Sequence, residues 1–183
     1  EKIDRGFERD MEGMTQEQKV EYKTRFSTLN KLLTAQHVIE EIANDITDHY
    51  LKHLKGTKYK AQLAVPDRKT AVKYYRYFKE RGQINAELVI SPPDTRVGND
   101  DIYDDPNDEV QVFWQNMMDR FQNKDDYEKS LVNLFKSDGE EVELLIVVYK
   151  LLTGFDAPRN TVLYMARYLD EHNLLQAIAR VNR

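Results

Sequence analysis

The stretch Glu143-Leu-Leu-Ile-Val-Val148 constrains the fold more than any other: five apolar residues without a break, three of them β-branched. A strand with one wet face alternates polar and apolar residues. An unbroken apolar run of this length instead belongs to a strand covered on both faces, the interior of a parallel sheet. The rest of the chain supplies partners for it. Residues 60–65 read as a strand stopped by Pro66, residues 86–90 as another ended by Pro92-Pro93, and residues 161–165 as a fourth. Helical patterns lie between them. Residues 68–81 turn Ala71, Val72, Tyr75 and Phe78 to one side and place Gly82 where a helix C-cap needs it. Residues 109–121 carry Val112, Phe113, Trp114, Met117 and Phe121; residues 125–136 carry Tyr127, Leu131, Leu134 and Phe135. A last helix begins near Asn173. Strands alternating with helices define an α/β fold, a parallel sheet flanked by helices.

Ahead of this region, residues 1–14 read as a charged tail. Thr15 and Gln18 have capping-box spacing and open a polar helix to about Leu33. Val38, Ile42, Ile46, Tyr50 and Leu54 then recur every four residues, and Gly56 ends that helix. The expected organisation is an N-terminal helical appendage over residues 1–57 and an α/β lobe over residues 58–183. No internal repeat is visible.

Composition removes several function classes. The 183 residues are 40% hydrophobic, enough for a core, and contain no Cys, which excludes thiolate metal sites, iron–sulfur clusters and cysteine nucleophiles. No apolar run approaches the roughly 20 residues that span a bilayer, and no signal-peptide pattern opens the chain. A soluble, cytoplasmic protein is the expectation. The net charge is −5, yet its distribution is uneven. Nine basic residues lie between Lys55 and Arg81 against Asp67 and Glu80, whereas seven acids lie between Asp94 and Glu109 against Arg96. An anionic partner on one face is compatible with this asymmetry, and so is a pair of solvated surfaces. The acidic stretch, residues 91–108, reads as a long mobile loop that either competes with an anionic partner for the basic patch or merely links two elements.

The last helix carries the most chemistry. At 100° per residue, Gln176, Arg180 and Arg183 fall within about 60° of one another, opposite Leu174, Ala177, Ile178 and Val181. Two guanidiniums one turn apart repel unless an anion faces them, and their forked donors match phosphate oxygens. The alternative is a surface helix paired with local acids. Beyond the buried strand comes the loop Lys150-Leu-Leu-Thr-Gly-Phe-Asp-Ala-Pro158, where open α/β sheets bind ligands. Gly154 permits close backbone approach, and Asp156 offers a carboxylate suited to a sugar hydroxyl or simply to capping a turn.

Thr153-Gly-Phe-Asp-Ala-Pro158 followed by Gln176-Ala-Ile-Ala-Arg-Val-Asn-Arg183 resembles motifs V and VI of superfamily 2 helicases. The form Leu-Leu-Gln-Ala-Ile-Ala-Arg-Val-Asn-Arg is similar to that of the restriction (R) subunit of type I restriction enzymes, and residues 60–81 resemble the motif IV region of the same subunit. The resemblance covers about residues 58–183. It implies the second RecA-like lobe of an ATP-dependent double-stranded DNA translocase whose separate nuclease domain is of the PD-(D/E)xK type. No phosphate loop or Walker B strand occurs in the chain, so it is expected to be a fragment, inactive alone.

By the resemblance, Arg180 and Arg183 face the γ-phosphate of ATP, with Arg183 as arginine finger. Gln176 positions phosphate or water, and Asp156 and Gly154 approach the nucleotide. ATP with Mg2+ would be held mainly by the first lobe. Arg68, Lys69, Lys150 and Thr153 would touch DNA, with Lys73 and Arg76 continuing the basic face. The implied partners are double-stranded DNA, the first lobe and nuclease domain of the same polypeptide, and modification and specificity subunits, with no membrane. Val148 and Thr153 stand where many superfamily 2 proteins have Thr and Arg, so backbone contacts of the RNA-helicase relatives are not carried over. Two other readings stay open: a lobe of a different superfamily 2 helicase or remodeller, and a non-catalytic α/β interaction module.

Weaker signals have plainer readings. His49 and His53 are spaced for a metal but read as surface histidines, because no His-Glu-x-x-His pattern accompanies them. His172 reads as a cap or a local hydrogen-bond donor. Trp114, Phe113, Met117 and Phe121 read as core packing rather than a base-stacking platform.

Overall fold

A computed structural model describes residues 15–92, 108–148 and 156–167. In chain order these form α1 (Gln16–Leu33), α2 (Gln36–His53), β1 (Lys60–Ala64), α3 (Arg68–Arg81), β2 (Ala86–Val89), α4 (Glu109–Phe121), α5 (Lys124–Lys136), β3 (Leu144–Val147) and β4 (Asn160–Met165). The four strands make one wholly parallel sheet in the order β2-β3-β1-β4. This is the α/β arrangement expected of a RecA-like lobe, with helices preceding it.

Sheet order explains the composition of the central strands. β3 lies between β2 and β1, with Leu144 opposite both Ala86 and Ala61, and all four of its residues are buried. β1 is equally enclosed despite Lys60 and Gln62. β4 forms one edge, and its residues Thr161 to Tyr164 are half-buried. The other edge, β2, is buried because α5 closes it. The Tyr127 hydroxyl donates to the Leu88 carbonyl at 2.5 Å and accepts from the Ile90 N–H at 3.3 Å. One side chain thereby satisfies two outward backbone groups that an open edge would leave for another strand. Burial pushes the Tyr127 phenol pKa well up.

Local signals account for the helix ends. Thr15 N–H donates to Gln18 Oε1 at 2.9 Å and Gln18 N–H to Thr15 Oγ1 at 3.3 Å, a reciprocal capping box. Asp67 caps α3 by accepting from Thr70 N–H at 2.7 Å, and Gly82 ends it in the left-handed region at φ 63°. Asn123 caps α5.

Two inward faces differ from the sequence expectation. On α2 the buried set is Ile39, Ala43, Ile46, Thr47 and Tyr50, with Val38 and Ile42 half-buried. A strict four-residue repeat drifts about 40° per step around a helix, so the buried stripe mixes steps of three and four. On α3 Tyr74 is fully buried, while Tyr75 is half-buried and packs edge-on against Phe113 of α4. Trp114 and Phe121 each lie 5.7 Å from the Tyr127 ring, and Phe113 and Met117 are buried. This aromatic cluster is core packing, as expected. α2 adds Ile39, Ala43, Ile46 and Tyr50 to the same core, and Leu54 at its C-cap joins them, whereas no side chain described on α1 is buried.

Candidate functional site

In a parallel sheet every strand ends on the same side, and the loops there lie beside helix N-termini. Here the carboxyl edge is drawn together by two arginines. Arg68, the first residue of α3, donates from Nη1 to the Pro92 carbonyl at 2.8 Å, joining the loop after β1 to the loop after β2. Arg167, just past β4, donates from Nη1 to the Val148 carbonyl at 2.5 Å, beyond the end of β3. Each bond skips one strand in the order β2-β3-β1-β4, so both guanidiniums lie across the strand ends. Both of these bonds go to backbone carbonyls and fix the direction of each guanidinium.

The outer face of α3 extends this basic region. Lys69, Lys73 and Arg76 share one side of the helix by their spacing. Lys69 is exposed and forms an ion pair with Asp108 at 3.2 Å; Arg76 pairs with Glu109 at 3.0 Å. Both acids stand at the start of α4, where Asp108 also caps the helix by accepting from Val110 N–H at 2.9 Å. Below them Glu87 of β2 is buried and pairs with Lys79 at 2.9 Å and Arg120 at 3.6 Å. Asp156 is exposed, adjoining buried Ala157.

Of the residues assigned to the site from sequence, Arg68, Lys69 and Asp156 are therefore placed, the first two together at the start of α3. Gly154, Lys150, Thr153, Gln176, Arg180 and Arg183 lie outside the described residues, as does His172. Sequence reasoning missed Arg167; its signal was a lone arginine two residues beyond a strand end. It also left the ion-pair partners of the α3 cations unassigned.

The amino edge is built differently. Glu143, before β3, is buried and receives Lys55 Nζ at 2.8 and 2.9 Å and the Asn85 N–H at 2.9 Å. Lys60 is buried and donates to the Leu134 carbonyl at 3.1 Å; burial, with Arg159 nearby, holds its pKa below the usual lysine value. Asn160 Nδ2 donates to Gln62 Oε1 at 3.1 Å. On the outer side of α2, His49 Nδ1 lies 2.8 Å from the Tyr164 hydroxyl, and both His49 and His53 are exposed. No helix among the described residues is long and apolar enough to cross a membrane.

Comparison with known proteins identifies the family. The family model for type I restriction enzyme subunit R domain 3 matches residues 57–183. Among curated proteins, a putative type I restriction enzyme MjaVIIIP endonuclease subunit of Methanocaldococcus jannaschii is 31% identical over 160 residues, 85% of this chain and 15% of that protein. The HindI endonuclease subunit of Haemophilus influenzae is 28% identical over 174 residues, 89% and 15% of the two chains. The SauCOLORF180P endonuclease subunit of Staphylococcus aureus is 26% identical over 164 residues, 79% and 17%. The chain thus spans about 15% of the length of these relatives. With a family match running from the loop before β1 through residue 183, on a parallel sheet of the expected kind, the chain belongs to the type I restriction enzyme R-subunit family, as its domain 3.

Proposed function

We propose that this chain is the second RecA-like lobe of the motor in a type I restriction R subunit. In the intact protein, ATP hydrolysis between two lobes would drive double-stranded DNA past the complex, and a nuclease domain elsewhere in the polypeptide would cut it. The observation that carries the reading is the family match over residues 57–183, which takes in the two motifs that resemble helicase motifs V and VI. The carboxyl edge supports it: Arg68 and Arg167 are oriented there by backbone carbonyls, beside the strand ends where α/β sheets take anionic ligands.

In this reading Arg183 and Arg180 approach the γ-phosphate of ATP held by the first lobe, and Gln176 orients the phosphate or the attacking water. Asp156 and Gly154 meet the nucleotide from this side. A guanidinium that reaches the phosphoryl oxygens as the lobes close stabilises the charge of the transition state, an effect of roughly 10³–10⁵ in rate. Among the described residues no group of three or more His, Asp and Glu is placed to hold a metal ion; Mg2+ would be held by the first lobe. Arg68 and Lys69, with Lys150 and Thr153, would contact the DNA backbone, contacts that carry no sequence information and so suit a translocating motor. The modification and specificity subunits of a type I complex would supply site recognition.

The test is made in the intact subunit. Arg183→Ala and Arg180→Ala are each expected to lower DNA-stimulated ATPase turnover at least 10³-fold while the melting temperature stays near that of the wild type. Turnover within tenfold of normal in both variants would remove the assigned roles.

A further inference from the structure

We infer that Asp108 and Glu109 set the affinity of this chain for DNA by occupying, as carboxylates, the positions that phosphates would take on α3. The inference rests on the proposed DNA contact of Arg68 and Lys69.

Lys69 and Arg76 are seven residues apart, two helical turns, with a rise of about 10.5 Å and an angular offset of about 20°. Lys73 lies between them on the same side. Phosphates of one DNA strand advance about 3.4 Å along the duplex axis per nucleotide, so the two cations match a separation of about three steps. The two acids that meet them are consecutive in sequence. Asp108 is held rigidly, its Oδ1 accepting from Val110 N–H while Oδ2 faces Lys69. Glu109 reaches Arg76, and that pair is 43–46% exposed on both sides. Neither acid is needed for a buried charge: Lys69 and Arg76 both have side chains open to water. The Arg76–Glu109 pair, exposed on both sides, is weak and exchangeable, and Lys69, 58% exposed, can turn to solvent from Asp108, whose own side chain is only 11% exposed. A polyanion that releases counterions on binding can therefore displace the carboxylates, but with fewer net phosphate contacts than the bare helix would make. The acids act as a built-in competitor that keeps DNA binding loose enough for a track that must be released.

The experiment measures binding of a short duplex of arbitrary sequence to the intact subunit between 50 and 200 mM KCl. Glu109→Gln is expected to tighten binding about three- to tenfold at 0.1 M salt and to steepen the slope of log K against log salt by about 0.9, one added phosphate contact. Asp108→Asn should do the same, because Asn caps a helix as well as Asp does. Arg76→Ala alone should change binding little, and combined with Glu109→Gln it should cancel the gain, a non-additivity that a purely structural pair would not show in DNA affinity. If Asp108→Asn loosens the fold, Glu109→Gln decides alone, since the Glu109 side chain takes no part in the cap. Unchanged affinity and slope in Glu109→Gln, with binding still weakened by Arg68→Ala/Lys69→Ala, would overturn the competition and leave the DNA face in place. Binding unaffected by Arg68→Ala/Lys69→Ala as well would overturn both.

Discussion

The two ends of the sheet solve the same problem in opposite ways. At the amino edge a buried carboxylate, Glu143, is met by Lys55 and a backbone N–H, so opposite charges cancel. At the carboxyl edge Arg68 and Arg167 each bond to a backbone carbonyl of a distant loop, so each guanidinium is set in place across the strand ends. A buried carboxylate met by a cation closes a structure, whereas guanidiniums oriented at strand ends present donors that an anion can share. The first edge is scaffold, and the proposed function makes the second the working surface.

Glu143→Ala should break the scaffold hardest. It strips Lys55 and the Asn85 N–H of their shared acceptor and is expected to cost about 2–4 kcal/mol. For a chain of this size each kcal/mol is about 2–4 °C of melting temperature, readable by calorimetry. DNA affinity of the remaining folded protein should be unchanged; a loss of affinity at full folding would blur the two edges. Tyr127→Phe tests the closed side of β2. It leaves the Leu88 carbonyl and Ile90 N–H without their hydroxyl and should cost about 1–3 kcal/mol by denaturant titration. Arg68→Ala should cost less stability than Glu143→Ala, about 1–2 kcal/mol, yet weaken duplex binding and flatten its salt dependence. Equal effects of Arg68→Ala and Glu143→Ala on stability, with none on DNA, would erase the contrast.

The smallest effect is in pH. Lys60 has a pKa below 10.5 in the folded protein, so between the two values the native side chain has lost a proton that the unfolded chain keeps. Unfolded protein binds more protons there, and stability rises with pH. Below the folded pKa the burial penalty is fully present; above 10.5 it is gone. The melting temperature of the wild type relative to Lys60→Met should therefore climb as pH goes from 7 toward 10.5. The Leu134 carbonyl keeps the Ser137 hydroxyl as donor in that variant, so its loss of a partner does not confound the comparison.

Much of this architecture could be read from local pattern. The apolar run at 144–148, the proline stops, Thr15 with Gln18, and Gly82 after the 68–81 stripe each act over a few residues, where backbone sterics and side-chain periodicity decide. The strand assignments erred only by a residue at the ends, because the last residues of a strand (Val65, Ile90, Val148) stay apolar and buried after the ladder stops. The likeness of the two terminal motifs was legible for a different reason: it lies in the order and spacing of residue types, which the chain carries before it folds.

What no local pattern contained is the pairing of distant segments. The order β2-β3-β1-β4 depends on which faces pack best among four strands of similar composition. That order places Glu143 against Lys55, 88 residues away, and Arg68 against Pro92. It likewise turned a basic stripe and an acidic stretch, read separately along the chain, into the facing pairs Lys69–Asp108 and Arg76–Glu109. Periodicity assigns a charge to a face of its own helix; only packing of one helix on another assigns it a neighbour, since the energy involved belongs to the contact and to neither strip of residues alone.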